Sequence, residues 1–524
     1  MAHSYKPSSR TLRSPGLAHF VEHQFDCSDI SSENEGDEDA PSAPELSTAL
    51  LVALTCTIGG LQTVWLTIFS HGSSYLASLG ISEVQISLIW TAAPVCGSII
   101  HPVVGVVSDR SRISWGRRRP FILIGAIIII IAITALAWIE PITLLLCSLH
   151  GKVSMAATVT LYWAVFWVII LNIGIQTLLS GSRSLIVDVC PSEQQSIASA
   201  WAARFTGLGN ILGYLIGSVP LPFLASNHEA WRFRCMALFA ATVLTITAVV
   251  TGYFIREENP QHLPYDEAEG SVFARTFRGV YQGLVAMPPK ARSVCRVQFF
   301  TAMAWFGFLF YSTSYVSGLY LDESCKHGMV FSSALKDRGI RLGTTSSLLF
   351  AVAALWTNVL LPHIRCSPET QLLLEKGYAV TRFNRLRQTH ILWTAGLILY
   401  VLFTLSTFFI SSSMGGVVAV ALVGLSWGIT QWAPFALIGE EIAASHDEGA
   451  SLSEMGGKTW ATNQNGAMMG VHNAAVSVPQ IMAAMASSFI FWLTGRFGVH
   501  DAVGWVLRFS GIAGAVAAWF AWQL

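Results

Sequence analysis

Residues able to do chemistry are few in this sequence, and most are set in apolar surroundings. In "GLQTVWLTIFSHGSSY" (Gly60–Tyr75), Gln62 and Trp65 stand three residues apart and share one helical face. An amide beside a flat aromatic equips a carbohydrate site: the ring covers C–H faces while the amide reads hydroxyls. Plain helix packing through an interhelical amide bond uses the same two residues, and spacing alone leaves both readings open. Asn172 and Gln176 follow at i, i+4, with Arg183 about two turns further on. Arg183 can offer a fork of donors to hydroxyls, pair with Asp188, or reach for lipid headgroups. Asp188 and Glu440 read as acids that latch loops before they read as proton carriers. Arg204 and Asn210 share another apolar stretch, and His101, just before Pro102, reads first as a hydrogen-bonded packing residue.

No nucleophile–base pair, HExxH, Walker loop or GxGxxG is present, so catalysis finds no support and no cofactor is expected. The nine cysteines show no metal-ligand spacing, and most lie in apolar runs where Cys behaves as a small hydrophobe. Cys325 is the one placed where an oxidising compartment would reach it.

The elements that must position these groups follow from composition. The chain is 53% hydrophobic and 12% charged, with mean hydropathy +0.53, which excludes an ordinary soluble domain. Net charge is zero, so nucleic acid is not an expected partner. A bilayer span needs about 20 mainly apolar residues. Twelve stretches qualify: Ser47–Ser70, Gln85–Ser108, Phe121–Ile139, Val159–Leu179, Ser196–Val219, Phe233–Phe254, Val297–Ser317, Thr344–His363, His390–Ile410, Gly416–Gly439, Met468–Thr494 and Ala502–Leu524. The fold expected is therefore an all-α membrane protein of two six-helix halves. Residues 1–46 form a polar tail containing "SENEGDEDAP", 47–254 the first half, 255–294 a hydrophilic linker, and 295–524 the second half.

Loop charge sets the expected orientation. "DRSRISWGRRRPF" (Asp109–Phe121) holds five arginines, Arg256–Arg296 six Lys/Arg, and Arg365–Arg387 five, whereas Ser70–Val84 and Ser411–Met414 hold none. Both termini are thus expected in the cytosol, with Lys326–Arg341 a basic stretch that runs against the rule. A nuclear signal is excluded for the arginine run, because it is wedged between two spans. The halves also echo one another: "RSLIVD" (Arg183–Asp188) matches "FALIGE" (Phe435–Glu440) in position. Each is followed by a helix with small residues and an asparagine, "GLGNILGYLIG" and "MGVHNAAVSVPQ". Two related halves around a midplane site are what alternating access requires.

"GVVSDRSRISWGRRRPFI" (Gly105–Ile122) resembles the loop motif of major facilitator transporters, in the form used by the glycoside–pentoside–hexuronide group. Its triple arginine before Pro-Phe-Ile is similar to the sucrose/proton symporters of plants and their fungal and animal relatives. The likeness extends through Gln62, Trp65, Ser70, Tyr75, Ser87, Trp90, Pro94, Gly97 and Pro102. It returns at Arg183, Asp188, "GNILGY", "AWFGFLFYSTSY", "GIRLG", "PFALIGE" and "GVHN…PQ". The tail, the linker and the Cys366–Arg387 loop are unmatched.

The resemblance implies transport of sucrose or a related α-glucoside such as maltose by alternating access, proton-coupled in the family. It places Arg183 at the sugar, joined by Gln62, Trp65, Asn172 and Gln176. It makes Asp109 and Arg110, with Gly116, Arg117, Arg118 and Arg119, a conformational latch on the cytosolic side. Where plant members carry membrane acids, however, this chain has Asn172, and Ser312, Ser314, Gly318 and Leu319 are neutral at the end of span seven. The proton carriers left are Glu83, His101, Asp188, Glu440 or Glu441, and an uncoupled facilitator, or a carrier of another solute on this fold, stays open beside symport. A non-transporting sugar sensor on the same scaffold is the least supported reading, the tail being short for that role. A monomer in the plasma membrane is expected, an internal membrane such as the vacuole being the alternative.

Overall fold

The computed structural model describes residues 45–150, 153–218, 229–257, 259–262, 272–330, 332–364, 387–454, 464–499 and 501–524. Among the described residues every regular element is helical. The first half comprises α1 (Thr48–Thr67), α2 (Ser73–Ser78), α3 (Glu83–Trp90), α4 (Ala92–Asp109), α5 (Arg119–Ala137), α6 (Ile139–Leu149), α7 (Ala156–Val189), α8 (Gln195–Ser218) and α9 (Glu229–Phe254). After α10 (Val272–Ala286) come α11 (Pro289–Lys326), α12 (Ser333–Ile364), α13 (Thr389–Leu405), α14 (Ser413–Glu454), α15 (Asn465–Arg496) and α16 (Ala502–Trp522). Local signals set several starts. Ser47 accepts from the Leu50 N–H, Ser82 and Gln85 form a capping box, and Pro120 occupies the first turn of α5, where its missing N–H costs nothing.

Eleven helical segments are long and apolar enough to cross a bilayer, which makes this a multi-pass membrane protein. The one expected span outside that set is the fifth, which is α8. It has the length, 24 residues, but Arg204, Asn210 and its glycines dilute its apolar character. It packs on α1, α12 and α14, so protein rather than lipid surrounds much of it and a less apolar surface suffices.

One core runs through the first half (Leu54, Ile129, Ile133, Leu171, Leu178, Phe233). The second half is held by Trp393, Leu397, Trp432 and Ala517, and by an aromatic group of Trp305, Phe308, Phe350 and Tyr400. Val187, Ala200 and Ala203 of the first half join the second half's core. The halves meet chiefly where α4 crosses α15 and α8 crosses α12 and α14. The α4–α15 crossing is tight because Gly105 and Gly466 lie back to back: a Cβ on Gly466 would fall 2.7 Å from Asp109 Oδ1.

Several helices outrun the spans read from hydropathy. α7 continues ten residues past Leu179, because Ser180–Val187 are buried in protein and need no apolar surface. This puts Asn172, Gln176, Arg183 and Asp188 on one continuous helix. The stretch expected as a linker carries α10 and the first turns of α11, and the basic stretch at Lys326–Arg341 ends α11 and begins α12, with Lys336, Arg338 and Arg341 exposed. The 1–44 part of the tail and the loop up to residue 386 lie outside the described residues.

Candidate functional site

Arg183 projects from α7 into a buried polar cluster drawn from both halves. Its guanidinium lies over the Phe435 ring of α14, 3.7 Å from the centroid, and Phe435 meets the His472 ring of α15 edge-on at 5.0 Å. His101 of α4 and His472 are each 1% exposed and within electrostatic range of Arg183. His101 Nδ1 is 3.3 Å from Gln176 Oε1. Asn473 Nδ2 donates to the Gly97 carbonyl at 2.8 Å and approaches the same Gln176 oxygen at 3.5 Å. Arg183 Nε, His101 Nε2 and His472 Nε2 are buried without a hydrogen-bond partner. Among the described residues no carboxylate pairs with Arg183. A buried polar atom left unpaired costs about 1–3 kcal/mol, so three in one cluster mark a position shaped for a polar visitor.

The other residues named from sequence divide. Gln176 belongs to this cluster. Asn172, one turn before it, gives its Nδ2 to the Val168 carbonyl at 2.8 Å and leaves its Oδ1 unpartnered. Gln62 Nε2 donates to Asn210 Oδ1 of α8 at 2.7 Å, so it makes the interhelical amide bond that packing alone would require. Trp65 stacks on Phe69 at 5.2 Å. Arg204 lies over Trp201 at 4.7 Å and donates to the Asn358 carbonyl at 3.4 Å, joining α8 to α12. Phe435 was not singled out from the sequence. An aromatic in "FALIGE" carries no polar signal, and only the fold sets it against Arg183.

Five residues beyond Arg183, roughly 7–8 Å along the helix, the same end of the bundle holds a second charged group. Arg118 is 0% exposed. It donates through Nη2 to Asp109 Oδ1 at 2.5 Å, through Nε to Asp188 Oδ2 at 2.7 Å, and through Nη1 to the Ser108 hydroxyl. Burial alone would lower the Arg118 pKa; the Asp188 and Asp109 carboxylates reverse that and hold it above its ordinary value. Arg117 Nε adds a 3.0 Å bond to Asp188. The acids then reach the other half. Asp109 accepts from the Gly466 and Ala467 N–H groups at 2.9 and 2.8 Å, and Asp188 Oδ1 accepts from Asn465 Nδ2 at 2.8 Å. The start of α15 is thus clamped to the ends of α4 and α7.

Glu257 braces this group and was not anticipated. Its carboxylate accepts the backbone N–H groups of Arg117, Arg118 and Arg119, all at 2.8 Å, capping the start of α5. Burial pushes the Glu257 carboxyl up from its ordinary value, with the Arg118 and Arg119 N–H groups opposing. Gly116 has φ +134°, and a Cβ there would meet Glu257 Oε1 at 2.6 Å, so glycine is required on both counts. Arg119 lies over Trp115 and donates to the Gly252 carbonyl at the end of α9. Arg110, expected at the centre of the latch, is instead exposed beyond α4, and Arg118 takes its place. The reason is geometric: Arg110 leaves the helix as it ends, whereas Arg118 enters α5 pointing back at Asp109.

Of the titratable groups considered for protons, Asp188 is committed to Arg117, Arg118 and Asn465. Glu440 is half-buried on α14, and Glu441 lies 3.7 Å from Lys290. The Glu83 side chain lies outside the described ones. Ser312 is buried in α11, and Ser314, Gly318 and Leu319 lie further along it.

This architecture and these residues find relatives. Residues 49–455 match the Major Facilitator Superfamily model. The chain belongs to the Major Facilitator Superfamily. Within reach of this superfamily member, a general alpha-glucoside permease of Schizosaccharomyces pombe (strain 972 / ATCC 24843) is 30% identical, with 94% of this chain and 96% of the permease covered. A sucrose transport protein of Oryza sativa subsp. indica is 26% identical over 86% of this chain and 84% of its own. A solved bacterial homologue of the iron transporter ferroportin, in an outward-facing state, superposes with a TM-score of 0.60 at 13% identity, covering 91% of this chain and 98% of that one. At that identity the likeness shows a shared fold alone.

Proposed function

We propose that this chain carries sucrose or a related α-glucoside across a membrane by alternating access. The observation that carries the proposal is Arg183: a buried cation with no carboxylate partner among the described residues, facing neutral polar groups from both halves. A neutral, hydroxyl-rich solute suits it, since a hydroxyl both accepts and donates: it accepts from Arg183 Nε, donates to His101 Nε2 and matches either tautomer of His472, while adding no charge to the bilayer interior. The alpha-glucoside permease and the sucrose transport protein described above support the same solute class. Unpartnered polar atoms on α4, α7 and α15 give the sugar bonds to both halves, which couples its binding to their relative movement. The latch is closed, which fits an outward-facing state with both termini cytosolic. Chain and sugar are the only partners required besides lipid: no catalytic activity, resident cofactor or nucleic acid enters, and one chain holds the whole site.

Labelled-sucrose and labelled-maltose uptake into transport-deficient cells, with competing sugars, tests the proposal. Uptake abolished by Arg183→Ala, with protein still in the membrane, is expected; no α-glucoside uptake or competition would overturn it. Proton-coupled symport is the family's mode. Asn172, in place of a membrane acid, favours a second reading, an uncoupled facilitator. A protonophore separates them: it lowers uptake by a symporter and leaves a facilitator's initial rate unchanged. Surface labelling on intact cells settles plasma against internal membrane.

A further inference from the structure

Among the described residues of α10, only Ala286 at its C-terminal end packs against the core of either half. The helix packs on α4 and α15, and its glycines allow the approach: a Cβ on Gly279 would lie 2.5 Å from Val106 Cγ1, and one on Gly283 2.8 Å from Ala467 Cβ. Val106 is almost one turn before Asp109, and Ala467 is one of the two residues whose N–H groups Asp109 accepts. α10 therefore lies across the joint that the latch closes. Arg292 of α11 donates to the Val285 and Met287 carbonyls at 3.1 and 3.2 Å, tying down its C-terminal end.

Away from that joint, described side chains of α10 are apolar and exposed. Phe277 (64%), Tyr281 (66%), Leu284 and Val285 are exposed at i, i+4, i+7 and i+8. On the adjoining α4, long and apolar enough to cross the bilayer, Val107 is exposed beside the α10 contact and Ile99 and Val95 further along. Arg278, Arg292 and Arg296, all exposed, border the α10 stripe with positive charge. An apolar stripe edged by arginines, on a helix packed at the ends of spanning helices, has the make-up of an interfacial helix on anionic lipid.

We propose that α10 is a lipid-anchored strap: its apolar face sits among anionic phospholipids of the cytosolic leaflet while its glycine face holds α4 against α15. Opening the latch requires α10 to let go of one of them, so leaflet composition sets how readily the carrier turns over. The choice of leaflet rests on the orientation proposed above; the lipid contact itself does not.

The test uses the full chain with Cys27, Cys325 and Cys366 changed to Ser, a spin label at Tyr281→Cys or Arg278→Cys, and phosphatidylcholine vesicles with or without phosphatidylserine. The label at 281 should collide with oxygen and be shielded from a water-soluble nickel complex, and the label at 278 should show the reverse. Phosphatidylserine should deepen the 281 label. Equal nickel access at both positions, or a 281 label immobilised in a concentration-dependent way as by a second copy, would overturn the proposal. This readout needs no transport, so its failure is distinct from failure of the sugar assignment. As a second arm, Gly283→Val should raise labelling of a cysteine placed at Ala467; unchanged labelling would count against the strap.

Discussion

Arg118 and Arg183 are both arginines taken out of water, at 0% and 8% exposure, within one end of the same bundle, yet their surroundings are opposite. Arg118 has two carboxylates, a hydroxyl and a braced backbone. Arg183 has an aromatic ring, two histidines with orphaned nitrogens and, among the described residues, no acid. A buried charge whose partners are all supplied by the protein is part of the structure, and it can act only by having those partners rearranged. A buried charge left incomplete is held ready for something that comes and goes. The contrast separates a cation completed by the protein from one left incomplete, without reference to any relative.

The sharpest way to break this contrast is to remove the two cations in turn. Arg183→Ala should lower uptake by roughly 100-fold or more, as loss of a buried substrate hydrogen bond does, while the thermal midpoint of purified protein stays near wild type or rises. Arg118→Ala should do the reverse in stability: it strands two buried carboxylates, at about 3–5 kcal/mol, visible as a large drop in melting temperature. If both variants lost stability equally, the distinction between the two arginines would collapse.

Next in size is Asp109→Asn. It removes charge from the bond to Arg118 and weakens the bonds from Gly466 and Ala467, at about 1.5–3 kcal/mol for a charged acceptor. The closed state loses that amount, so the maximal rate should fall while the apparent sugar affinity changes little. A shift in KM with an unaltered maximal rate would place Asp109 in the binding part instead. Glu257→Ala should cost less, about 0.5–2 kcal/mol as for a lost N-cap. It acts through the same state, so its effects and those of Asp109→Asn should not add.

The same comparison explains what could be read in the sequence. The twelve spans, the two halves and the arginine loop were legible because hydropathy and charge act over about 20 residues and depend little on neighbours. Asp109 and Gly116 were legible with the arginines because the loop motif keeps them close in the chain; Asp188, 70 residues from Arg118, was legible only separately, as an acid that latches loops. Which arginine pairs with Asp109 was not, since Arg110 and Arg118 differ only in the direction the backbone takes at each helix end. Glu257 and Phe435 were missed for a related reason: one lies 140 residues from the N–H group of Arg117 that it caps, and the other is an ordinary apolar residue until the fold lays it under Arg183. α8 shows the opposite limit, a spanning helix that fails a hydropathy test because its surroundings are protein.

The smallest effect bears on the residue whose two readings stayed level. Gln62 and Asn210 bond across α1 and α8 at 2.7 Å, and interhelical bonds of this kind in membrane proteins average about 0.6 kcal/mol. Gln62→Ala, Asn210→Ala and the pair form a double-mutant cycle. Packing alone predicts a coupling of that size in thermal stability, with sugar KM unchanged in all three variants. A sugar contact predicts in addition that Gln62→Ala raises KM, more for sucrose than for an analogue lacking the hydroxyl it reads, and that Asn210→Ala raises it less, by freeing the Gln62 amide to turn. Trp65, one turn on and stacked on Phe69, supplies the control. If Trp65→Phe also leaves KM unchanged while Arg183→Ala abolishes uptake, α1 is scaffold and the sugar is held by α4, α7 and α15.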